Sequence, residues 1–175
     1  MTEKVIVRRV AADEVATCLD ALADLLIDSV EGGASVSFML PLSREKALAF
    51  WRNVADGVMK NERALLVAEN RYGQIVGTVQ IVMSMPENQP HRADVAKMLV
   101  HRKMRRQGVA QRLMALVDDV ARAEGKSVLV LDTVTGGDAE RLYERAGWQR
   151  VGAVPKYALM PEGEFCSTTY FFKHL

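Results

Sequence analysis

The chain has 175 residues, 49% hydrophobic and 26% charged, a composition that suits an ordinary globular protein with one sizeable core. Its 23 Lys and Arg against 22 Asp and Glu leave a formal net charge of +1, too little to hold nucleic acid or an anionic membrane surface by a broad field. Cys18 and Cys166 stand far apart outside any C-x-x-C pair, no window approaches the ~18 apolar residues of a membrane span, and MTEKVIVRRV lacks the apolar run of a secretory signal, so the expectation is a single domain over residues 1–175 in the cytoplasm.

In chain order, VIVRRV near residue 5 suits a first strand. Asp13 can cap a helix whose apolar positions Val15, Leu19, Leu22, Leu26 and Val30 recur at helical spacing, and EGGAS stops it. Ser43 can cap a second helix with Leu48, Trp51, Ala55 and Val58 on one face. RALLVAEN, GQIVGTVQIVMS and RADVAKMLV read as three strands separated by the turns NRYG and MPENQPH. Helical spacing returns with Val109, Leu113, Leu116 and Val120, ends near Gly125, and gives way to SVLVLDTV, the apolar run of a buried strand. The helix DAERLYERA and the strands GWQRVGAV and STTYFFKHL complete the chain, with KYALMPEG as a loop between the last two. The order β-α-α-β-β-β-α-β-α-β-β without repeats or linkers predicts one α+β domain.

Between the strand ending at Val100 and the helix starting near Gly108, VHRKMRRQGVAQRLM packs five Lys and Arg around one glycine. Neither G-x-x-x-x-G-K-[ST] nor G-x-G-x-x-G is present. Backbone N–H groups at a helix start lack intrahelical partners and favour an anion. Gly108 permits close approach, Ala110 keeps the next turn uncrowded, and Arg105 and Arg106 can add charge-assisted contacts. A solvated basic turn is the alternative.

Arg105-x-x-Gly108-x-Ala110 resembles the pyrophosphate signature Q/R-x-x-G-x-G/A of the GCN5-related N-acetyltransferases, with Val100 five residues before the first Arg. DAERLYERAGW resembles the A-x-x-L-Y-x-x-x-G-[FW] segment of the same family through Ala139, Leu142, Tyr143, Gly147 and Trp148. Gly136 departs from the pattern, since many members carry Asn there. The resemblance implies the acyl-CoA N-acyltransferase fold, an α/β three-layer sandwich with a central mixed, mostly antiparallel sheet of about seven strands and about four flanking helices. It further implies acetyl-CoA as cosubstrate, held by the backbone of Met98, Leu99 and Val100 and by the segment Arg105, Arg106, Gln107, Gly108, Val109, Ala110 and Gln111. EGGASVSFM, HRADVAKMLV, LDTVTGGDAERLY and TTYFFK also resemble a toxin-resistance branch of the family that acetylates a β-lactam amino acid.

Acetyl transfer from a thioester to an amine needs a neutral nucleophile, a stabilised oxyanion and a proton for the departing sulfur. Tyr143 is the candidate acid, with a core tyrosine as the alternative. Asp132 closes the apolar strand SVLVLD and is a candidate site carboxylate, or a cap for the following turn. Asp94, expected from strand alternation on the face of Ala96 and Met98, can take a proton from the substrate ammonium or pair with Lys97 or Arg92. The Val100 N–H would serve the oxyanion. For an amino-acid acceptor, Asp94 and Asp132 would hold the amine, while Gly33 and Ser35, with Gly32, would offer donors to its carboxylate or simply stop the helix. His91 and His101 read as turn residues and no metal is expected. Cys166 has no evident base, which disfavours a covalent route.

The sequence therefore predicts an N-acetyltransferase with acetyl-CoA and a small amine as partners, no nucleic acid or membrane, and a monomer or homodimer. Protein or peptide amines as acceptors, or a non-catalytic acetyl-CoA sensor, are the alternatives.

Overall fold

Alternation of two hydrophobic periods, 2 and 3.6, along the chain resolves into seven strands and four helices. In the computed structural model, which describes residues 4–175, these are β1 (Ile6–Arg9), α1 (Leu19–Glu31), α2 (Arg44–Met59), β2 (Arg63–Glu69), β3 (Ile75–Val82), β4 (Arg92–Val100), α3 (Val109–Ala123), β5 (Val128–Val134), α4 (Asp138–Arg145), β6 (Gln149–Leu159) and β7 (Phe165–His174). One sheet runs β1-β2-β3-β4-β5-β7-β6, antiparallel at every pair except the parallel β4–β5 pair. The predicted fold class is the observed one.

Each face of the sheet buries one core. Leu66, Val79, Ile81, Ala93, Leu129 and Phe171 meet Leu113, Met114 and Val117 of α3 and Tyr143 of α4. On the opposite face Leu65, Val67 and Leu99 meet Leu22 and Leu26 of α1 and Trp51 and Val54 of α2. Helix α3 packs directly over Gly77 on β3, which has no side chain to hold it off. A Cβ there would stand 3.0 Å from Cγ1 of Val109 and 3.3 Å from Cδ1 of Leu113. That approach sets the first turn of α3 against the end of β4.

Ser43 caps α2 as its type and position predict, its hydroxyl accepting from the Lys46 N–H at 3.1 Å. Ser43→Ala is expected to cost about 1 kcal/mol and to lower the thermal midpoint by about 2–4 °C, as scanning calorimetry would measure.

Three local expectations fail. Asp13 caps nothing: Val15–Cys18 form a 3-10 turn ahead of α1, and the Glu14 carboxylate accepts from the Ala11 N–H at 2.9 Å instead. Lys156–Leu159 are strand, not loop. Strand β6 lies at the sheet's edge, where Pro155 removes no ladder donor that the sheet needs, and a register shift between Val154 and Ala158, with Lys156 at φ +51°, carries it onward. Finally, Met98 does not share a face with Asp94. Lys97 sits at φ +54° in a bulge where β4 shifts register against β3, so the alternation changes phase: Met98 packs with Ala93 and Val95 on the α3 side, whereas Asp94 and Ala96 face the α1–α2 side.

Candidate active site

The sheet opens at one place. Strands β4 and β5 pair only from Arg92–Asp94 to Val128–Val130; beyond that β4 stays with β3 as far as Val100 and β5 stays with β7 as far as Val134. The two strands therefore diverge toward their carboxyl ends. At the lip, the His101 N–H donates to the Val76 carbonyl at 2.9 Å, and Val100 stands opposite Gly77. In an antiparallel ladder hydrogen-bonded pairs alternate with non-bonded ones, so the Val100 N–H turns away from β3 into the opening. Leu99 is turned the other way, its backbone toward Thr78 and its side chain in the core.

Helix α3 begins beside this lip. Gly108 is its N-cap at φ +77°, with nothing within 4 Å of the position a Cβ would take. The first intrahelical bond is Arg112 N–H to the Gly108 carbonyl at 3.1 Å, which leaves the N–H groups of Val109, Ala110 and Gln111 without partners in the helix. Arg105 and Arg106 are exposed around it, Arg106 at φ +61°. The Gln107 side chain bonds the Lys103 carbonyl at 3.2 Å and so braces the loop. Two of the five cations are structural. Arg112 donates to the Val5 carbonyl, and Arg102 donates its backbone N–H and Nε to Asp28 of α1 at 3.0 and 2.9 Å. Burial pushes the Asp28 pKa up, but those hydrogen bonds and the neighbouring charges hold it below the usual carboxylate value.

Tyr143 lies on the α3–α4 side, 5% exposed, its ring centroid 6.1 Å from Trp148 and 6.0 Å from Phe171. Burial first, and the Asp132 charge second, push its pKa up to about 12. Asp132 projects from the other face and accepts from the Thr168 hydroxyl at 2.7 Å, a contact with β7 and not a turn cap. Asp94 shares that face and pairs with Arg92. On the far side of Asp132 from Asp94, Tyr170, opposite Asp132 on β7, hydrogen-bonds Tyr157 at 2.9 Å; that bond, then burial, then the charges of Asp132, Tyr157 and Asp94 push it up to about 12. The two predicted carboxylates thus lie on one face, with the predicted acid across the sheet.

The segment joining α1 to α2 walls this face. Ser35 Oγ donates to the Leu159 carbonyl at 3.0 Å, and the Leu40 N–H donates to the Pro161 carbonyl at 3.0 Å, so the segment is tied to the turn between β6 and β7. The N–H groups of Gly32, Gly33 and Ala34 donate to Asp28, Val30 and Ser29 carbonyls at 3.0 Å each. Gly32, Gly33 and the Ser35 hydroxyl are therefore engaged in closing α1 and anchoring the wall, which leaves only the Ser35 backbone as a possible ligand donor. Sequence reading missed Lys97, Ser37, Thr168 and Tyr170, all of which line the same face. Lys97 was hidden by the bulge, and Tyr170 could have been found from its period-2 position opposite Asp132.

The sequence profile of the acetyltransferase (GNAT) family matches residues 27–148, from the end of α1 through Trp148. The chain belongs to this family. A GNAT relative of Azospirillum brasilense, an uncharacterized N-acetyltransferase in the hisH-hisA intergenic region, is 34% identical over 116 residues, 65% of this chain and 67% of its own. The GNAT acetyltransferase of Streptococcus pneumoniae superposes with TM-score 0.77 at 20% identity over 98% of this chain and 100% of its own. The yncA protein of Salmonella typhimurium, solved with its cofactor acetyl-CoA, gives TM-score 0.77 at 18% identity over 98% and 94%. These two likenesses define the fold. As a GNAT member, the chain is an acetyl-CoA-dependent N-acetyltransferase, and among its described residues no helix is long and apolar enough to cross a membrane.

Proposed function

We propose that this enzyme acetylates the primary amine of a small amino-acid-like molecule by direct attack, in the manner of the tabtoxin resistance protein, whose acceptor is a β-lactam amino acid. The observation that carries the reading is the presence of Asp94 and Asp132 on the same face of the sheet, walled by the tethered segment from Gly32 to Ser43.

The residues fit the cosubstrate. The open cradle over Gly108, the free N–H groups of Val109 to Gln111 and the exposed Arg105 and Arg106 suit a pyrophosphate, and the backbone of Met98 and Val100 lines a slot in which an extended pantetheine arm can pair as an added strand. When bound, acetyl-CoA supplies the activated acyl group. The Val100 N–H donates to the oxyanion as it forms. Asp132 or Asp94 takes the ammonium proton, directly or through water, which frees the amine lone pair. Tyr143, protonated at neutral pH, gives its proton to the departing sulfur from the opposite face. Acid and base thus stand on opposite sides of the sheet, so the carboxylate takes its proton from the ammonium and not from Tyr143.

Release of coenzyme A measured over amino acids, β-lactam amino acids, polyamines and short peptides tests this. Turnover of amino acids above peptides is the expected result; exclusive turnover of peptides or protein amines would overturn it. Asp132→Asn is expected to lower kcat/KM for the preferred acceptor about tenfold, the weight of one hydrogen bond to a charged group, with the Kd for acetyl-CoA changed by less than about threefold, ~0.7 kcal/mol. Equal loss with every acceptor, accompanied by weakened acetyl-CoA binding in titration calorimetry, would place Asp132 in the coenzyme site instead.

A further inference from the structure

The bulge in β4 does more than change the phase of the strand. It turns Lys97, half-buried, toward the acceptor face, where Nζ donates to the Ser37 hydroxyl at 2.9 Å and stands 5.9 Å from the centroid of Phe50. Both partners of that hydrogen bond occupy the left-handed region, Lys97 at φ +54° and Ser37 at φ +79°, where side chains of these types are uncommon and backbone strain must be offset by the surroundings.

Among the described residues no carboxylate forms an ion pair with Lys97. Burial lowers its pKa, the charge of Asp132 works the other way, and the repelling charge of Arg63 lowers it further. Arg63 itself donates to the neutral Gln80 side chain at 2.8 Å. A half-buried ammonium held by one hydroxyl and one aromatic ring keeps unused donors, and a charge in such a place is stabilised strongly by an anion. The same face therefore carries two carboxylates, Asp132 and the Arg92-paired Asp94, and two cations, Lys97 and Arg63, that have no carboxylate partner among the described residues. That is the charge pattern complementary to a zwitterion.

From this arrangement we infer that Lys97, oriented by Ser37, binds the carboxylate of an amino-acid acceptor and so sets the enzyme's specificity for acceptors that carry one. The inference rests on the small-molecule reading above. It gives the carboxylate donor a different address from Gly33 and Ser35, whose groups are engaged in closing α1 and anchoring the wall.

The test compares each common L-α-amino acid with its own carboxamide, in wild type, Lys97→Met, Lys97→Arg and Ser37→Ala, by coenzyme A release. Wild type is expected to favour the acid over the carboxamide. Lys97→Met should reduce the acid-to-carboxamide ratio of kcat/KM about 10- to 100-fold, as loss of a charge-assisted contact does, chiefly through the acceptor KM. Lys97→Arg should retain part of the preference, and Ser37→Ala should lose less than Lys97→Met. Thermal melting near the wild-type midpoint confirms that each variant is folded, and a misfolded Met variant leaves the Arg and Ala variants to decide. The inference fails if wild type uses acids and carboxamides equally, or if the preference survives Lys97→Met intact. A wild type that turns over peptides but no amino acid in either form defeats the small-molecule reading, and the carboxylate role falls with it.

Discussion

Replacing Tyr143 by Phe is expected to lower kcat about 10- to 1000-fold, within the range that general acid catalysis contributes, while the Kd for acetyl-CoA is unchanged. The substitution removes one oxygen and keeps a ring packed beside Trp148 and Phe171, so the core of α4 is preserved and any loss belongs to the hydroxyl. A phenol whose pKa stands at about 12 remains protonated across the neutral range, which is the state a proton donor requires. Its proton becomes transferable only as negative charge grows on the sulfur, so the effect falls on the transition state and on kcat. Steady-state kinetics beside titration calorimetry separate the two quantities. A Phe variant with full kcat would make Tyr143 a core residue and leave the leaving group to be protonated by solvent.

Gly108→Val is expected to raise the KM for acetyl-CoA about 10- to 100-fold, the loss of one or two hydrogen bonds to a charged group. A Cβ at this position meets no protein atom within 4 Å, so the side chain starts out into open space and not into the fold. What it does is fill the cradle in front of the free N–H groups of α3 and bring a β-branched residue to φ +77°. The backbone cost is about 1–2 kcal/mol, visible as a modest fall in thermal midpoint, whereas Gly108→Ala carries a similar backbone cost with less obstruction and should raise the KM less. Unchanged KM in a folded Val variant would remove the pyrophosphate from this loop.

Most of the architecture was legible because periodicity reports burial directly. The stripe Val109, Leu113, Leu116 and Val120 marks α3, and the apolar run ahead of Asp132 marks β5, a strand paired on both sides within the sheet. The failures share a cause. Period-2 reading assumes an unbroken pleat, and the bulge at Lys97 is decided by how β4 meets β3, which no window of β4 alone contains. It put Met98 on the wrong face and concealed the Lys97 side chain beside Ser37. The strand residues Lys156–Leu159, read as loop, follow Pro155, which is tolerated because β6 lies at the edge, a property of the whole sheet. Gly32 and Gly33 were readable as a helix stop, but whether their N–H groups were free was settled only by the last turn of α1.

The tether from Ser35 and Leu40 to the turn between β6 and β7 divides the molecule's labour along the chain. On the reading proposed above, the coenzyme is gripped by a contiguous stretch from β4 into α3, while a wall of the acceptor chamber is built by two distant pieces, residues 32–43 and the final hairpin. Neither piece supplies a residue to the pyrophosphate cradle. Insertions or replacements in the turn Met160–Gly163 can therefore reshape which amine enters without disturbing how the donor is gripped. A library confined to that turn and to residues 34–40 would explore new acceptors on a chassis whose donor chemistry stays constant.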